Sequence, residues 1–301
     1  MNTTHGYINN PKNNQIYINI NGDLFKRQDA KISVFDSGFL LGDGVWEGIR
    51  LYNKQLVFKE EHLNRLYDGI NKLEIDMPIN RIELENYIQK TIDKNNMKND
   101  VHIRLIITRG FKKTPYQHPN ANIGKANIII IPEYKIAAPE IYQKGIQIVS
   151  VKTIRSIPEV QDPKINSLSK FNCIQACIEA KNNGGDEGLM LDINNNVSTC
   201  NSTNFFMVKN KTVWTSKGEY CLNGITRGKI IEICEENNIP IKIKDFKLHD
   251  VYEAQAAFVT GTFAGVIPIT RIDDYKLNSR DNYIISKLFT LYKQKIKKLY
   301  S

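Results

Sequence analysis

The apolar and polar residues along the first half of the chain predict a mixture of strands and helices. Near the start, Q-I-Y-I-N-I-N-G-D-L-F alternates and turns at Asn21-Gly22, which predicts a β-hairpin. Apolar residues recur at helical spacing over residues 60–73 and 81–95. Two strongly apolar runs, V-H-I-R-L-I-I-T-R and A-N-I-I-I-I-P, flank a polar loop at residues 110–125. We therefore expect them to be paired core strands.

The second half continues the mixture without a regular alternation of strand and helix. I-Q-I-V-S-V predicts a strand, residues 169–182 a helix, and G-L-M-L-D, N-F-F-M-V and T-V-W-T-S further strands. A helix over 226–237, a strand at A-A-F-V-T-G-T and an amphipathic helix over 281–299 follow. The missing βαβ rhythm favours an α+β fold over a Rossmann sheet. A change of composition at Ala137-Ala138-Pro139 predicts a linker at 135–146, between a small N-terminal α/β domain (1–134) and a larger mixed C-terminal domain (147–301).

Composition narrows the class of protein without identifying it. The chain has 301 residues, of which 41% are hydrophobic and 24% charged, as in ordinary globular proteins. No apolar run approaches the roughly 20 residues of a membrane span, and the N-terminus lacks a signal-peptide pattern, so we expect a cytoplasmic protein. The five cysteines include no C-x-x-C pair and are expected to be free thiols, not metal ligands. The net charge of +9 comes from scattered basic residues and a basic tail, which does not indicate nucleic-acid binding.

One segment has the character of an anion site. N-G-I-T-R-G-K-I-I-E-I opens a predicted helix, and the first amides of a helix are free donors at the positive end of its dipole. Ile225 and Thr226 would direct such amides toward a phosphate.

Together with three other segments, this motif resembles the class IV (fold type IV) aminotransferases, which bind pyridoxal phosphate (PLP). The other segments are E-H-L-N-R-L, D-P-K-I-N-S-L-S-K-F-N and G-T-F-A-G-V-I-P-I, and all four occur in the family's order between residues 61 and 269. The resemblance implies a phosphate site made of six residues: Arg65, Gly224, Ile225, Thr226, Gly261 and Thr262. An arginine at position 65 offers the paired donors that a phosphate accepts.

The resemblance also shows a departure at the lysine that holds PLP as a Schiff base. At the position where the family has that lysine, this chain has Asn166, and a lysine follows four residues later at Lys170. Four residues of helix advance only about 6 Å on one face, which a lysine side chain can span. We expect a helix capped by Ser167 or Ser169 with Lys170 in its first turn, where the dipole would lower the amine pKa. Lys170 is therefore the expected displaced catalytic lysine; Lys164, or no Schiff base at all, remain alternatives.

A second departure lies at the opposite end of the cofactor. The family places a glutamate against the pyridine nitrogen, whereas V-S-T-C-N-S-T-N-F-F has Thr199 there. A hydroxyl can hydrogen-bond to a neutral pyridine but cannot stabilise the pyridinium charge. We expect a weaker electron sink than in the family.

The substrate contacts implied by the resemblance are fewer. Trp46 stands at the family's Tyr/Phe position, and Arg104 matches an active-site arginine of the branched-chain enzymes, with His102 at their tyrosine. Phe263 and Ala264 lie in the turn that would face the substrate carboxylate, where Phe263 departs from the family.

The prediction is a PLP-dependent aminotransferase-like enzyme that forms a homodimer. It would transfer an amino group between a small (branched-chain or D-) amino acid and a 2-oxo acid. A PLP lyase or racemase, and a non-catalytic binding or regulatory member of the fold, are the alternatives.

Overall fold

A computed structural model describes residues 4–301 of the chain. The part up to residue 137 contains ten strands: β1 (Tyr7–Ile8), β2 (Tyr17–Ile20), β3 (Asp23–Lys26), β4 (Gly44–Tyr52), β5 (Gln55–Leu56), β6 (Val101–Thr108), β7 (Phe111–Lys112), β8 (Asn122–Ile123), β9 (Asn127–Tyr134) and β10 (Ile136–Ala137). Its α-helices are α1 (Ser37–Leu41), α2 (Lys59–Lys72) and α3 (Arg81–Lys94). Short 3₁₀ turns occur at Pro11–Gln15 and Pro119–Ala121.

Six of these strands form an antiparallel sheet in the order β3-β2-β9-β6-β4-β5, and the other four form the pairs β1-β10 and β7-β8. The hairpin between β2 and β3 is confirmed: Asn21 and Gly22 both have positive φ, 55° and 92°, as the type I′ turn demands. The paired core strands are confirmed as β6 and β9, antiparallel from Val101 to Thr108. On one face α2 and α3 bury the alternate residues of β6 (Val101, Ile103, Leu105, Ile107). The opposite face is left for the other half of the molecule.

The second half contains the strands β11 (Ile146–Ser150), β12 (Glu187–Leu191), β13 (Val197–Cys200), β14 (Asn204–Lys209), β15 (Thr212–Thr215), β16 (Ile241–Ile243), β17 (Ala256–Gly261), β18 (Gly265–Ile272) and β19 (Tyr275–Lys276). Its helices are α4 (Glu140–Lys144), α5 (Pro158–Gln161), α6 (Phe171–Asn182), α7 (Ile225–Glu236), α8 (Leu248–Tyr252) and α9 (Tyr283–Tyr300). The strands form a nine-stranded mixed sheet in the order β13-β12-β11-β18-β17-β14-β15-β16, with β19 beside β18.

Apolar clusters cover both faces of this larger sheet, one of them beneath α7 and α9. Mixed parallel and antiparallel pairing confirms the α+β class. The segment predicted as the linker contains β10, which pairs with β1, and then α4. No helix within residues 4–301 combines the length and apolar character needed to span a bilayer.

The helix expected at 169–182 differs from the prediction at its start. It begins at Phe171, and Lys170 occupies the N-cap position with no side chain capping the helix, so the expected Ser167 or Ser169 cap is wrong. Its buried face is formed by small residues, Ala176 and Ala180. The apolar residues Phe171, Ile174 and Ile178, which have the spacing of one helix face, are 69%, 53% and 54% exposed.

Candidate active site

The start of α7 has the geometry of an anion site. Gly224 is the N-cap, and no side chain caps the helix, so its first amides remain available. A Cβ at Gly224 would lie 2.2 Å from Oδ1 of Asn204, which makes glycine necessary there. The amide of Asn204 in turn donates to the carbonyl of Leu222 at 2.9 Å and holds the turn in place.

Arg65 reaches this turn from α2. Its Nη1 donates to the carbonyl of Asn223 at 2.9 Å, while Nε and Nη2 each donate to the Glu47 carboxylate at 2.8 Å. Glu47 is fully buried and also contacts Nδ1 of His62 at 2.6 Å. Burial alone would raise the pKa of Glu47, but Arg65 and His62 outweigh it and lower the pKa below its usual value. One carboxylate therefore orients the guanidinium, leaving N–H groups on its outer edge for an anion.

The remaining phosphate-site residues meet at the junction of the two sheets. Thr226 and Thr262 line the same cavity of about 170 Å³, which Arg50 and His62 also border. Gly261 pairs with Gly265 across the turn that carries Thr262. Arg65 and Asn223 border a second cleft of about 410 Å³.

Asn166 is held in place by the first sheet. Its carbonyl accepts a hydrogen bond from the amide of Trp46 at 3.0 Å, and two residues later the amide of Leu168 donates to Gly44 at 2.9 Å. An isolated bridge joins Ser167 to Val45. These bonds attach the segment to β4 as a short extra strand, and Asn166 is 6% exposed there.

Lys170 points back toward Asn166. Its Nζ donates to Oδ1 of Asn166 at 3.2 Å and lies 5.7 Å from the centre of the Trp46 ring. Burial lowers the pKa of Lys170 to about 8, and Arg155 and Arg65 act in the same direction. Desolvation thus replaces the helix dipole as the main cause of the lowered pKa. Lys164, by contrast, has an exposed side chain.

Thr199 is buried on β13 and already has partners. Its hydroxyl donates to the carbonyl of Thr203 at 2.7 Å and accepts from the Asn204 amide at 3.3 Å. The single hydroxyl proton is therefore already used in a hydrogen bond within the protein, and neither partner of the hydroxyl is a carboxylate. Nearby Glu187 is bound by the hydroxyls of Ser202 and Thr203.

The face of the first sheet that α2 and α3 leave free carries the expected substrate residues. Trp46 lies on β4, and the Arg104 guanidinium stacks on its ring at 4.0 Å. His102 lies on the same face of β6, above Gly48, where a Cβ would come within 2.9 Å of the imidazole. Burial, reinforced by Arg50, lowers the pKa of His102 well below its usual value. Its Nδ1 is buried without a hydrogen-bond partner among residues 4–301.

Phe263 and Ala264 close this face from the second sheet. Both are 8% exposed, and the Ala264 carbonyl accepts a hydrogen bond from Tyr142 at 2.8 Å. Sequence reasoning missed two basic neighbours of Phe263, Arg50 and Lys135. Arg50 could have been found, since it follows Trp46 by four residues on an alternating strand and so shares its face.

A two-sheet fold with a part-buried lysine and an uncapped helix start is the arrangement expected of a fold type IV PLP protein. A family model described as "Amino-transferase class IV" matches residues 44–272. The chain belongs to the class IV aminotransferase family.

Individual relatives agree with this assignment. The chain is 36% identical over 265 residues to branched-chain-amino-acid aminotransferase-like protein 1 of Arabidopsis thaliana, covering 87% of this chain. It spans only about half (47%) of the length of that relative. It is 32% identical to the D-alanine aminotransferase of Listeria monocytogenes, covering 84% of this chain and 86% of that protein. The branched-chain aminotransferase structure from Thermoproteus uzoniensis superposes with a TM-score of 0.83 at 25% identity, covering 93% and 94% of the two chains.

The residues present fit PLP, the cofactor of this family. The uncapped start of α7 and the outer edge of Arg65 suit a phosphate dianion. Lys170 supplies a largely buried amine with a pKa of about 8 beside Asn166. Thr199, the residue expected at the pyridine end, offers a hydroxyl and no carboxylate.

Proposed function

We propose that this chain is a PLP-dependent aminotransferase that moves an amino group between a small amino acid and a 2-oxo acid, with Lys170 as its catalytic lysine. The observation that carries the proposal is the 3.2 Å hydrogen bond from Lys170 Nζ to Asn166. This hydrogen bond brings the Lys170 amine to the side chain of Asn166, the residue at the family's lysine position. The printed names of the relatives, branched-chain and D-alanine aminotransferases, support the substrate class.

Each end of the site has a separate task in this proposal. The amides of Ile225 and Thr226, the Thr262 hydroxyl and the outer edge of Arg65 would hold the phosphate and so orient the ring. PLP, when bound, supplies the electron sink that makes the α-hydrogen of an amino acid acidic. Lys170 would accept that proton as a neutral amine and return it at the other carbon.

The low pKa of Lys170 suits both tasks of the amine. At neutral pH an ordinary lysine is almost wholly protonated, whereas a group with a pKa of about 8 is partly neutral. Arg104 on Trp46 and the unpartnered Nδ1 of His102 would face the substrate. Thr199 leaves the pyridine nitrogen neutral, which weakens the electron sink and predicts a slow enzyme.

We also propose that the protein acts as a homodimer in the cytoplasm. The exposed apolar row on α6 (Phe171, Ile174, Ile178) lies beside Lys170 and favours a second copy covering it. The five cysteines are free thiols, which suits a reducing compartment.

The proposal is tested by measuring amino exchange in the native chain and in variants that move the lysine from position 170 to position 166. Purified protein with PLP is incubated with L- or D-alanine, valine or leucine and a 2-oxo acid, and the new amino acid is measured by mass spectrometry. We expect exchange with the native chain, none with Lys170→Ala, and partial recovery with Asn166→Lys in the Lys170→Ala background. Ammonia release without exchange would favour a lyase, and full activity of Lys170→Ala would contradict the proposal.

A further inference from the structure

Phe263 occupies an unusual place for a large side chain. It lies in the three-residue turn Thr262–Ala264 between β17 and β18, directly after a residue of the expected phosphate site. It is a residue at which the segment G-T-F-A-G-V-I-P-I departs from the family it resembles. Here the phenyl ring is 8% exposed, so it fills space between the sheets instead of extending into solvent.

Basic side chains from the first half of the chain surround this ring. The neighbours are His5 (ring centres 6.1 Å apart, stacked), His102 (5.8 Å, edge-on), the Arg50 guanidinium (5.6 Å) and the Lys135 amine (4.7 Å). Cations stabilised by an aromatic face hold that ring in position. Phe263 is thus held by contacts on several sides, although it lies in a turn.

Side chains on one face of the first sheet lead from Lys170 to this ring, and the Trp46 and His102 rings both border Gly48, at 3.4 and 2.9 Å from the place of its missing Cβ. The Lys170 amine and the Arg104 guanidinium both contact the Trp46 ring, at 5.7 and 4.0 Å. His102, two residues before Arg104 on the same face of β6, contacts Phe263. The ring therefore lies on the same face of the first sheet as Trp46, which the Lys170 amine contacts, and it also lines the cavity that Thr226 and Thr262 border.

We propose that Phe263 is a specificity-determining residue that restricts the substrate to amino acids and 2-oxo acids with short side chains. This inference rests on the proposed function, because it concerns the same site. The phenyl ring occupies the space in which a branched substrate side chain would lie. Its basic neighbours keep the ring in that position. Substrates of the size of alanine fit, and those of the size of leucine meet the ring.

Binding of unreactive carboxylic acids tests the restriction without any turnover. The dissociation constants of propionate and 4-methylpentanoate for the PLP-loaded protein are measured by calorimetry for the native chain, Phe263→Ala and Phe263→Leu. Phe25→Ala, a change of a part-exposed phenylalanine on β3, is the matched control. A misplaced methylene changes discrimination by roughly 10–200-fold. The native chain should therefore bind the longer acid at least about tenfold more weakly than propionate.

Phe263→Ala should improve binding of the longer acid by about tenfold or more and leave propionate within about threefold. Phe263→Leu should fall between the two proteins, and Phe25→Ala should match the native chain. Equal binding of both acids by the native chain, binding of neither, or no gain in Phe263→Ala would overturn the proposal. Failure of amino exchange with this selectivity retained would instead contradict the proposed reaction alone.

Discussion

The amine of Lys170 should react with electrophiles at much lower pH than an unperturbed lysine. Its pKa is lowered by burial to about 8, against 10.5 for an unperturbed lysine. At pH 7 about 10% of the amines would be neutral, against about 0.03% for the unperturbed group, a difference of about 300-fold. Because only the neutral amine attacks a carbonyl, the rate should rise with pH and level off above about 8.

Substitutions of Asn166 should shift the pH at which the Lys170 amine becomes reactive. Asn166→Asp puts a carboxylate where the amide oxygen now lies, 3.2 Å from the amine. A close opposite charge favours the protonated lysine and raises its pKa by roughly 1–3 units, so the midpoint should move above about 9. Asn166→Leu, which removes the acceptor without adding charge, should leave the midpoint at or below that of the native chain.

Pulsed reductive methylation of the cofactor-free protein, followed by peptide mapping, measures both profiles. Lys164, which is exposed and close in sequence, serves as the internal reference in every sample. A Lys170 midpoint equal to that of Lys164 would refute the argument from burial. An unchanged midpoint in Asn166→Asp would refute the contact between the two side chains.

Three further substitutions follow from the same geometry. Arg65→Ala leaves the fully buried Glu47 without its main partner and should destabilise the fold by roughly 3–5 kcal/mol in urea unfolding, whereas the milder Glu47→Gln keeps a neutral partner. An unchanged unfolding midpoint in Arg65→Ala would contradict the ion pair. Gly224→Ala, whose Cβ would lie 2.2 Å from Asn204, should displace the start of α7 and weaken PLP binding at least about tenfold, measured by fluorescence titration. Thr199→Glu should strengthen the electron sink by about 2 kcal/mol and raise the exchange rate roughly tenfold or more, with Thr199→Ser as the control that should not.

Local sequence chemistry was sufficient for several parts of the structure. The Asn21-Gly22 turn was predictable because two consecutive residues with positive φ are needed, and few other pairs accept them. The segment around Gly224 was predictable because a helix start and its anion-binding character are set by neighbouring residues. Such features depend on contacts within a few positions of the chain.

Other parts depended on contacts that the sequence pattern does not contain. Phe171 and Ile174 have the spacing of a buried helix face, yet small residues pack against the sheet and leave them exposed. The low pKa of Lys170 comes from burial of its amine, not from the helix start that was expected. The approach of His5 and Lys135 to Phe263 depends on the placement of β1 beside β10, which no short motif specifies.

Lys170 is proposed to perform the reaction of the lysine whose position in the family Asn166 occupies. The protein is incubated with PLP, reduced with borohydride and digested, and the pyridoxyl group is located by mass spectrometry. We expect a single dominant pyridoxyl group on Lys170, which moves to position 166 in the Asn166→Lys, Lys170→Ala protein. A pyridoxyl group on Lys164, or none on any lysine of the site, would contradict it.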